Sequence, residues 1–459
     1  MAAVLALGQR REMFVDNLLI DRLDGAQQRL QPPELRGYVL VAQPPHENAC
    51  TACYNLIDDH DGGLFLYYRG YYPIGAEAAD HRQEQTCNVA LSYDGVHFHR
   101  PNLDLFEGST EGKPGVAPNT VWQGVEAHNF CALVDDNPNI DPQTRFKAVG
   151  GGARDSLFGF TSADGLHWNR LQEEPLQISG AFDSVNVPMW DAVAGKYRLF
   201  SRYFEEIDGE RVRAIQSCTS DDFVNWTDPV PHRYADDVPL EQFYTNATVP
   251  CPGAEHILLS FPMRFLPQRT LDTHGMDYPG DGVSDAVFMS SRDGVHWDRT
   301  FRQAWLRPGR DTRNWTHRNQ TTAVGIIVTG DDEWSMYVSQ HYGWNDNRLR
   351  RVTVRPWGFA SISADVHGEA LTPPVTFDGR QLFLNYSTSA AGSVRVEIQD
   401  GEGTPIPGFA LDDAQHMYGD EIDDAARWSA GTDVSTLAGK TIRLRFVLED
   451  ADLFSLRFG

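Results

Sequence analysis

Ser92-Tyr93-Asp94-Gly95, with Phe98 three residues beyond the glycine, is the first of four versions of one phrase. It returns as Ser162-Ala163-Asp164-Gly165 with Trp168, as Ser220-Asp221-Asp222-Phe223 with Trp226, and as Ser291-Arg292-Asp293-Gly294 with Trp297. The four aspartates stand 70, 58 and 71 residues apart. Asp-Gly is a hairpin-turn signal, because Gly tolerates positive φ and Asp bonds the backbone of its own turn. The aromatic residue falls on the returning strand, placed to pack on a neighbouring sheet. One β-unit recurring at a long, regular period indicates a propeller or a solenoid.

Each phrase closes a longer pattern of strands. The expected strands are 50–57, 64–69, 86–91 and 97–100 in a first blade, and 129–134, 145–149, 156–160 and 167–170 in a second. A third has 185–190, 197–203, 214–218 and the residues near Trp226, and a fourth has 245–249, 256–261, 286–290 and 296–299. A fifth unit lacks the phrase but keeps the order, at 323–329, 334–340, 349–355 and 359–363. An early strand at 13–15 is expected to join blade five or blade one and lock the ring, which removes open sheet edges. Beyond Ala364 the pattern changes to longer alternating strands, as in Ser393-Val394-Arg395-Val396-Glu397-Ile398. That alternation reads as a β-sandwich. The expected fold is all-β, a five-bladed β-propeller over 1–365 followed by a C-terminal β-sandwich over 366–459.

Composition narrows the function. A chain of 459 residues exceeds one ordinary core. The net charge of −25 argues against nucleic acid and against anionic membrane surfaces, both of which need clustered Lys and Arg. No apolar run approaches the ~20 residues of a membrane span. Gln9-Arg10-Arg11-Glu12 cuts short the apolar opening, so no secretory leader is read. The expected location is cytoplasmic, or secreted or periplasmic if a leader was removed. Homo-oligomerisation is compatible with the sequence. The six cysteines are scattered through expected strands and read as buried thiols. Cys50-x-x-Cys53 lacks the second pair that a zinc site needs.

Five blades, Ser-x-Asp-Gly-x-x-Trp turns and an appended sandwich resemble the five-bladed glycoside hydrolases, the invertase/inulinase-like and arabinanase/xylosidase-like enzymes. The Asn-Asp-Pro-Asn-Gly signature of the invertase-like enzymes is absent. Phe182-Asp183-Ser184-Val185-Asn186 stands in place of their Arg-Asp-Pro strand, and Glu241-Gln242-Phe243-Tyr244 in place of their Glu-Cys segment. The resemblance implies hydrolysis of glycosidic bonds in oligosaccharides or glycosides, exo-acting, with a furanoside such as an arabinofuranoside or fructofuranoside favoured. It implies Glu241 as the acid, Asp183 as the residue that steadies the oxocarbenium-like state, and Glu47 (or Glu84) as base or nucleophile. It implies no redox cofactor; a structural Ca²⁺ in the channel is possible, though no ligand motif supports one. The phrase from Met13 to Asp21 also resembles the opening of an uncharacterised group of bacterial proteins, which carries no mechanism.

In a propeller, residues just ahead of each innermost strand, and residues joining the second and third strands, converge on one mouth of the channel. Ahead of the inner strands stand His46 and Glu47, His128 and Asn129, Asp183 and Asn186, Glu241 and Tyr244, and His317 with Arg318. From the second-to-third connections come Arg69 with Tyr71, Glu84, Arg202, Arg264, Asp285 and His341. These residues are the candidate substrate-binding set. Tyr71, Tyr72, Trp315, Tyr342 and Trp344 are candidates for a sugar-stacking platform or for packing between blades. Glycosidic hydrolysis needs two carboxyl groups, one of them a proton donor. Loop carboxylates also cap turns and pair arginines. Asp135 and Asp191 follow the first strands of their blades and read as turn formers at the opposite face. The arginines raise an acidic substrate, because Arg forks carboxylates. Sialidases use such arginines but have six blades. Two other readings stay open: a non-catalytic carbohydrate-binding propeller, and a polysaccharide lyase acting on a uronate-bearing glycan through His128, Tyr244 or His317.

Overall fold

The computed structural model describes residues 4–75, 82–107, 115–151, 156–239, 241–269 and 273–459. They form two compact units that interleave along the chain. One comprises Pro33–Gly330 with Trp334–Thr353, the other Met1–Pro32 with Asp331–Glu333 and Val354–Gly459. The expected linear division at residue 365 thus differs from the observed one, because the N-terminal strands belong to the second unit.

The first unit is a five-bladed β-propeller. Blade one runs Ala52–Asp58, Leu64–Arg69, Thr86–Ser92 and Thr120–Gln123. Blade two runs His128–Val134, Phe146–Gly151, Leu157–Ser162 and Asn169–Arg170. Blade three runs Val187–Asp191, Lys196–Ile207, Glu210–Ser220 and Val230–Pro231. Blade four begins as Thr248–Cys251, Ala254–Ser260, Met289–Ser291 and Trp297–Asp298. It continues past Phe261-Pro262 as a separate sheet of Met263–Leu266, Val283–Val287 and Ala304–Leu306. Proline has no N–H to give a ladder, so the break there is expected. Blade five holds Thr321–Thr322, Trp334–Gln340, Arg348–Val354 and Glu34–Val41.

Three sequence expectations are corrected. The ring is closed by Glu34–Val41, which pairs antiparallel with the third strand of blade five. The segment at 13–15 does not do so: Glu12–Met13 pairs with Ile442–Phe458, and Met13 and Phe14 are fully buried. Ala360–Ala364, expected as the last strand of blade five, pairs with Gln27–Leu30 and Ile442–Phe458. In blade one the segment at 97–100 gives a single bridge, His99 to Leu91, and Thr120–Gln123 supplies the fourth strand.

The phrase performs two tasks. Locally, Asp164 Oδ1 accepts from the Leu166 and His167 amides at 2.9 and 2.8 Å, while Ser162 Oγ accepts from Gly165 N at 2.9 Å. The same bonds recur around Asp94, Asp222 and Asp293. The fourth position is left-handed throughout, at φ 69°, 74° and 74° for Gly95, Gly165 and Gly294, and at 67° for Phe223. Phe223 bears that strain while fully buried against Tyr197 and Trp226. Between blades, Tyr67 of blade one donates to Gly165 O at 2.7 Å and packs edge-on against Trp168. Tyr337 of blade five does the same for Gly95 and Phe98 of blade one. These turns clip onto the preceding blade, as does that of blade four, whose Gly294 O accepts from Ser217 Oγ of blade three at 3.0 Å.

Two consequences follow from the turns. A Cβ on Gly165 would lie 2.8 Å from the Tyr67 hydroxyl, at a φ that L side chains avoid. Gly165→Ala should cost about 1–3 kcal/mol in urea denaturation, from strain and the displaced inter-blade bond; no change would show that the clip contributes nothing. The turn aspartates also tie stability to acid. Burial works against the charge on Asp164 and Asp222, but the amide and side-chain bonds of His167 and of Asn225 outweigh it and lower both carboxyls to about 2. A carboxyl lowered on folding stabilises above its unfolded pKa of ~3.9, and that contribution is lost as pH falls toward the folded value. Thermal midpoints should drop between roughly pH 4 and pH 2, and less steeply in Asp164→Asn.

The second unit is a ten-stranded antiparallel-rich sheet system dominated by two long strands, Leu382–Asp400 and Ile442–Phe458, paired along most of their length. Leu5–Gly8 adds in parallel to Val375–Phe377. Phe14, Tyr386, Trp428, Phe446 and Leu453 are among the buried residues of its core. Their alternation along the strands is that of a β-sandwich.

Candidate active site

Residues at the start of all five inner strands line one cavity of ≈ 270 Å³. Blade one supplies Ala52 and Cys53, and blade two His128 and Asn129. Asp183, Ser184 and Val185 stand ahead of blade three, Tyr244 and Thr245 ahead of blade four, and Arg318 and Thr321 at blade five. Arg69, Tyr72, Gln85, Met263, Tyr278 and Tyr342 complete the wall. The backbone explains the convergence. Cys53, Asn129 and Arg318 are non-glycine residues with φ of 56°, 53° and 58°. The ladders of blades one and two slip register between Ala52 and Asn55 and between His128 and Cys131. Such a bulge re-aims a side chain, and strain of this kind gathers at functional sites.

Asp183 and His128 form the chemical centre. His128 Nε2 lies 2.8 Å from Asp183 Oδ1, and its Nδ1 lies 2.7 Å from Gln85 Oε1. The ionised carboxylate accepts, so His128 carries a proton on Nε2. Burial works against the Asp183 charge, but the His128 bond, with the attraction of His128, Arg202 and Arg318, holds the carboxyl well below the usual range. Asp183 is half exposed to the cavity, so a ligand can reach it.

Opposite stands a frame of arginines and tyrosines. Arg69 donates to Cys50 O at 3.0 Å, to Asn129 Oδ1 at 3.3 Å and to Tyr342 OH at 3.3 Å. Arg318 also donates to Tyr342 OH, at 3.3 Å, and sits over the Tyr244 ring. Burial keeps the Tyr342 phenol protonated despite these cations. His317 lies behind the wall, where it donates to Tyr278 O at 2.9 Å; burial and Arg318 push it down to about 4, so it is neutral. Burial also raises the Cys53 thiol, which donates to Asn129 Oδ1 at 2.9 Å and is not an activated nucleophile.

The structure brings Arg69, His128, Asn129, Asp183, Tyr244 and Arg318 together, and Arg202 into an adjoining cleft. It does not bring Glu241 or Glu47, expected as acid and as base or nucleophile, to the cavity. Glu241 accepts from Arg264 at 2.7 Å on one oxygen and from Arg299 on the other, and lines a separate cleft with Arg264 and Asp285. Glu47 is 1% exposed and accepts from Tyr68 OH at 2.6 Å and from Arg100 at 2.8 and 2.7 Å. Both are structural carboxylates that tie strands to neighbouring loops. Glu84 is exposed on a short 3₁₀ turn, while its neighbour Gln85 reaches the site. Asn186 is buried and donates to Phe182 O and Ser184 O, which shapes the loop that carries Asp183. Tyr71 lies outside the lining, its amide bonded to Thr86 Oγ1. His341 is held between Asp311 and Asp346 at 2.7 and 2.9 Å, away from the cavity. Of the aromatic platform, Tyr72 and Tyr342 line the site and Trp315 and Trp344 do not. Tyr278, Gln85 and Cys53 were not among the sequence candidates. Among the described residues no cluster of His, Cys, Asp and Glu suits a metal ion. Among the described residues no helix is long and apolar enough to cross a membrane.

No family model matches the chain, and no curated protein matches it in sequence. Solved structures resemble it in architecture. A glycoside hydrolase is 12% identical, covering 71% of this chain and 93% of its own, at a TM-score of 0.47. An N-acetylgalactosamine deacetylase from F. plautii, in complex with blood group B trisaccharide, is 13% identical over 72% and 96%, at 0.45. A fructofuranosidase from Schwanniomyces occidentalis, complexed with fructosylnystose, is 12% identical over 92% and 97%, at 0.40. Likeness at this level carries neither substrate nor mechanism to this chain.

Proposed function

We propose that the chain is a glycoside hydrolase that cleaves a terminal sugar in the central cavity, with His128 and Asp183 as its acid–base pair. The observation that carries this reading is the His128–Asp183 contact at 2.8 Å, open to a cavity walled by tyrosine rings. His128 takes the place of the second carboxyl group and gives its proton to the departing glycosidic oxygen, while the ionised Asp183 steadies the positive charge that develops on the sugar. Water then adds to the sugar and returns a proton to His128, so the pair is restored. Tyr72, Tyr244 and Tyr342 line the cavity with aromatic surface for a sugar. The enclosed cavity suits a chain end, and furanosides stand first among substrates to try.

Eliminative cleavage has one observation in its favour: Asp183 is the single carboxylate lining the cavity among the described residues. A panel of aryl furanosides and pyranosides in both configurations, with oligosaccharides beside them, tests the two together. Release of a saturated sugar supports hydrolysis. An unsaturated, ultraviolet-absorbing product would replace hydrolysis by elimination. Binding of oligosaccharide without any cleavage would leave a binding propeller.

A further inference from the structure

We propose that the arginine-lined cleft beside the cavity is a subsite for an anionic group, a carboxylate or a sulfate ester, carried by the sugar that is cleaved or by its neighbour. This deepens, and rests on, the reading of the cavity as a site of glycosidic cleavage. The cleft, of ≈ 560 Å³, shares Asp183, Tyr244 and Arg318 with the cavity and adds Arg202, Arg211 and Arg213. Three guanidinium groups gather on one ring: Arg202, Arg213 and Arg318 lie 4.9, 5.2 and 5.4 Å from the centre of Tyr244.

Pairing sets this cluster apart. Elsewhere in the propeller buried arginines are matched with acceptors: Arg299 with Glu241, Arg198 with Asp191, and Arg69 with Cys50 O, Asn129 Oδ1 and Tyr342 OH. Arg202 is 5% exposed, yet its Nε has no hydrogen-bond partner among the described residues. The Arg213 Nε is likewise unpartnered, its Nη1 being spent on Gln242 Oε1 at 2.6 Å. Asp183 is the single carboxylate lining the cleft, and His128 already holds it. Burial and the neighbouring Arg202 and Arg318 lower Arg213 against an opposing pull from Tyr244, as crowding by like charge requires. A buried cation without a partner is costly, and guanidinium groups fit the planar or forked oxygens of carboxylate and sulfate. The excess is local, since the whole chain carries −25. An anionic ligand supplies the missing charge.

The test is calorimetric titration of the full chain with three oligosaccharides of matched length, one neutral, one bearing hexuronate and one bearing sulfate esters. At least one acidic ligand should bind about 10-fold or more tightly than the neutral one, the scale of one charge-assisted hydrogen bond. The margin should shrink with added salt. Arg202→Met should bring the acidic ligand to within about threefold of the neutral one, and Arg202→Lys should retain part of the preference. Which acid wins decides between carboxylate and sulfate. Equal binding of all three, no binding of any, or a preference that survives Arg202→Met overturns the proposal. If neutral glycosides are cleaved and acidic ones are not preferred, the subsite falls and the cleavage reading stands. If acidic sugars bind through Arg202 and no sugar is cleaved, the cleavage reading falls instead.

Discussion

Asp183→Asn should lower kcat/KM by at least ~100-fold on whichever glycoside the protein cleaves, since one group that stabilises developing charge contributes typically 10²–10³. The asparagine keeps the size of the side chain and removes its charge. His128 then loses the anion that accepts its Nε2 proton, and the cationic sugar loses its neighbour. The loss should fall mainly on kcat, because the arginines and tyrosines that bind the sugar are untouched. Glu241→Gln is the matched comparison. It removes a carboxylate whose two oxygens face Arg264 and Arg299 rather than the cavity. Its activity per folded molecule should stay within about threefold of wild type, as expected of a group that does not touch the reacting atoms. A large loss in Glu241→Gln with little in Asp183→Asn would reverse the assignment.

The largest effect on stability is expected at Asp135→Ala, about 3–5 kcal/mol in urea denaturation at neutral pH, the cost of breaking a buried ion pair. Asp135 has a fully buried side chain; it accepts from Lys147 in its own blade and from Tyr197 OH of the next blade at 2.6 Å. Its other oxygen accepts from Asn137 N at 3.0 Å. Removing it strands the Lys147 ammonium, whose side chain is 7% exposed, and unfastens one blade from the next. Pairing the change with Lys147→Met should recover part of the loss, because the unpaired charge goes with it. A single-variant cost below about 1 kcal/mol, the range of an exposed ion pair, would show that Asp135 is not sealed as described.

The Ser-x-Asp-Gly phrase made the propeller legible because it states a local conformation, a left-handed fourth residue braced by a serine and an aspartate. That chemistry acts within six residues and survives any context. Ring closure was not legible. Glu34–Val41 is mostly exposed, with a weak alternation, and nothing local says that it pairs with residues more than 300 positions away. Met13 and Phe14 look like a strand that needs burial, and they find it in the second unit.

The site was legible by position and less so by role. Asp183, His128, Asn129, Tyr244, Arg69 and Arg318 stand where inner strands begin, and a propeller delivers such positions to one mouth. Glu241 and Glu47 occupy similar positions, but their partners lie 58 and 53 residues on, at Arg299 and Arg100. A carboxylate facing a cavity and one facing an arginine read alike until the blades are folded. Gln85 adjoins Glu84, and only the direction of the turn decides which reaches His128. Tyr278 sits in the loop between Met263–Leu266 and Val283–Val287, whose Gly, Pro and Asp residues signal a turn and no function.

The central claim is that cleavage takes place among the inner-strand residues and not in the neighbouring carboxylate cleft. The most direct test is a crystal structure of Asp183→Asn soaked with the best glycoside from the panel. The account predicts sugar density within hydrogen-bond reach of His128 and residue 183, with a ring against Tyr244 or Tyr342. Density beside Glu241, Arg264 and Asp285, with the central cavity holding only water, would contradict it.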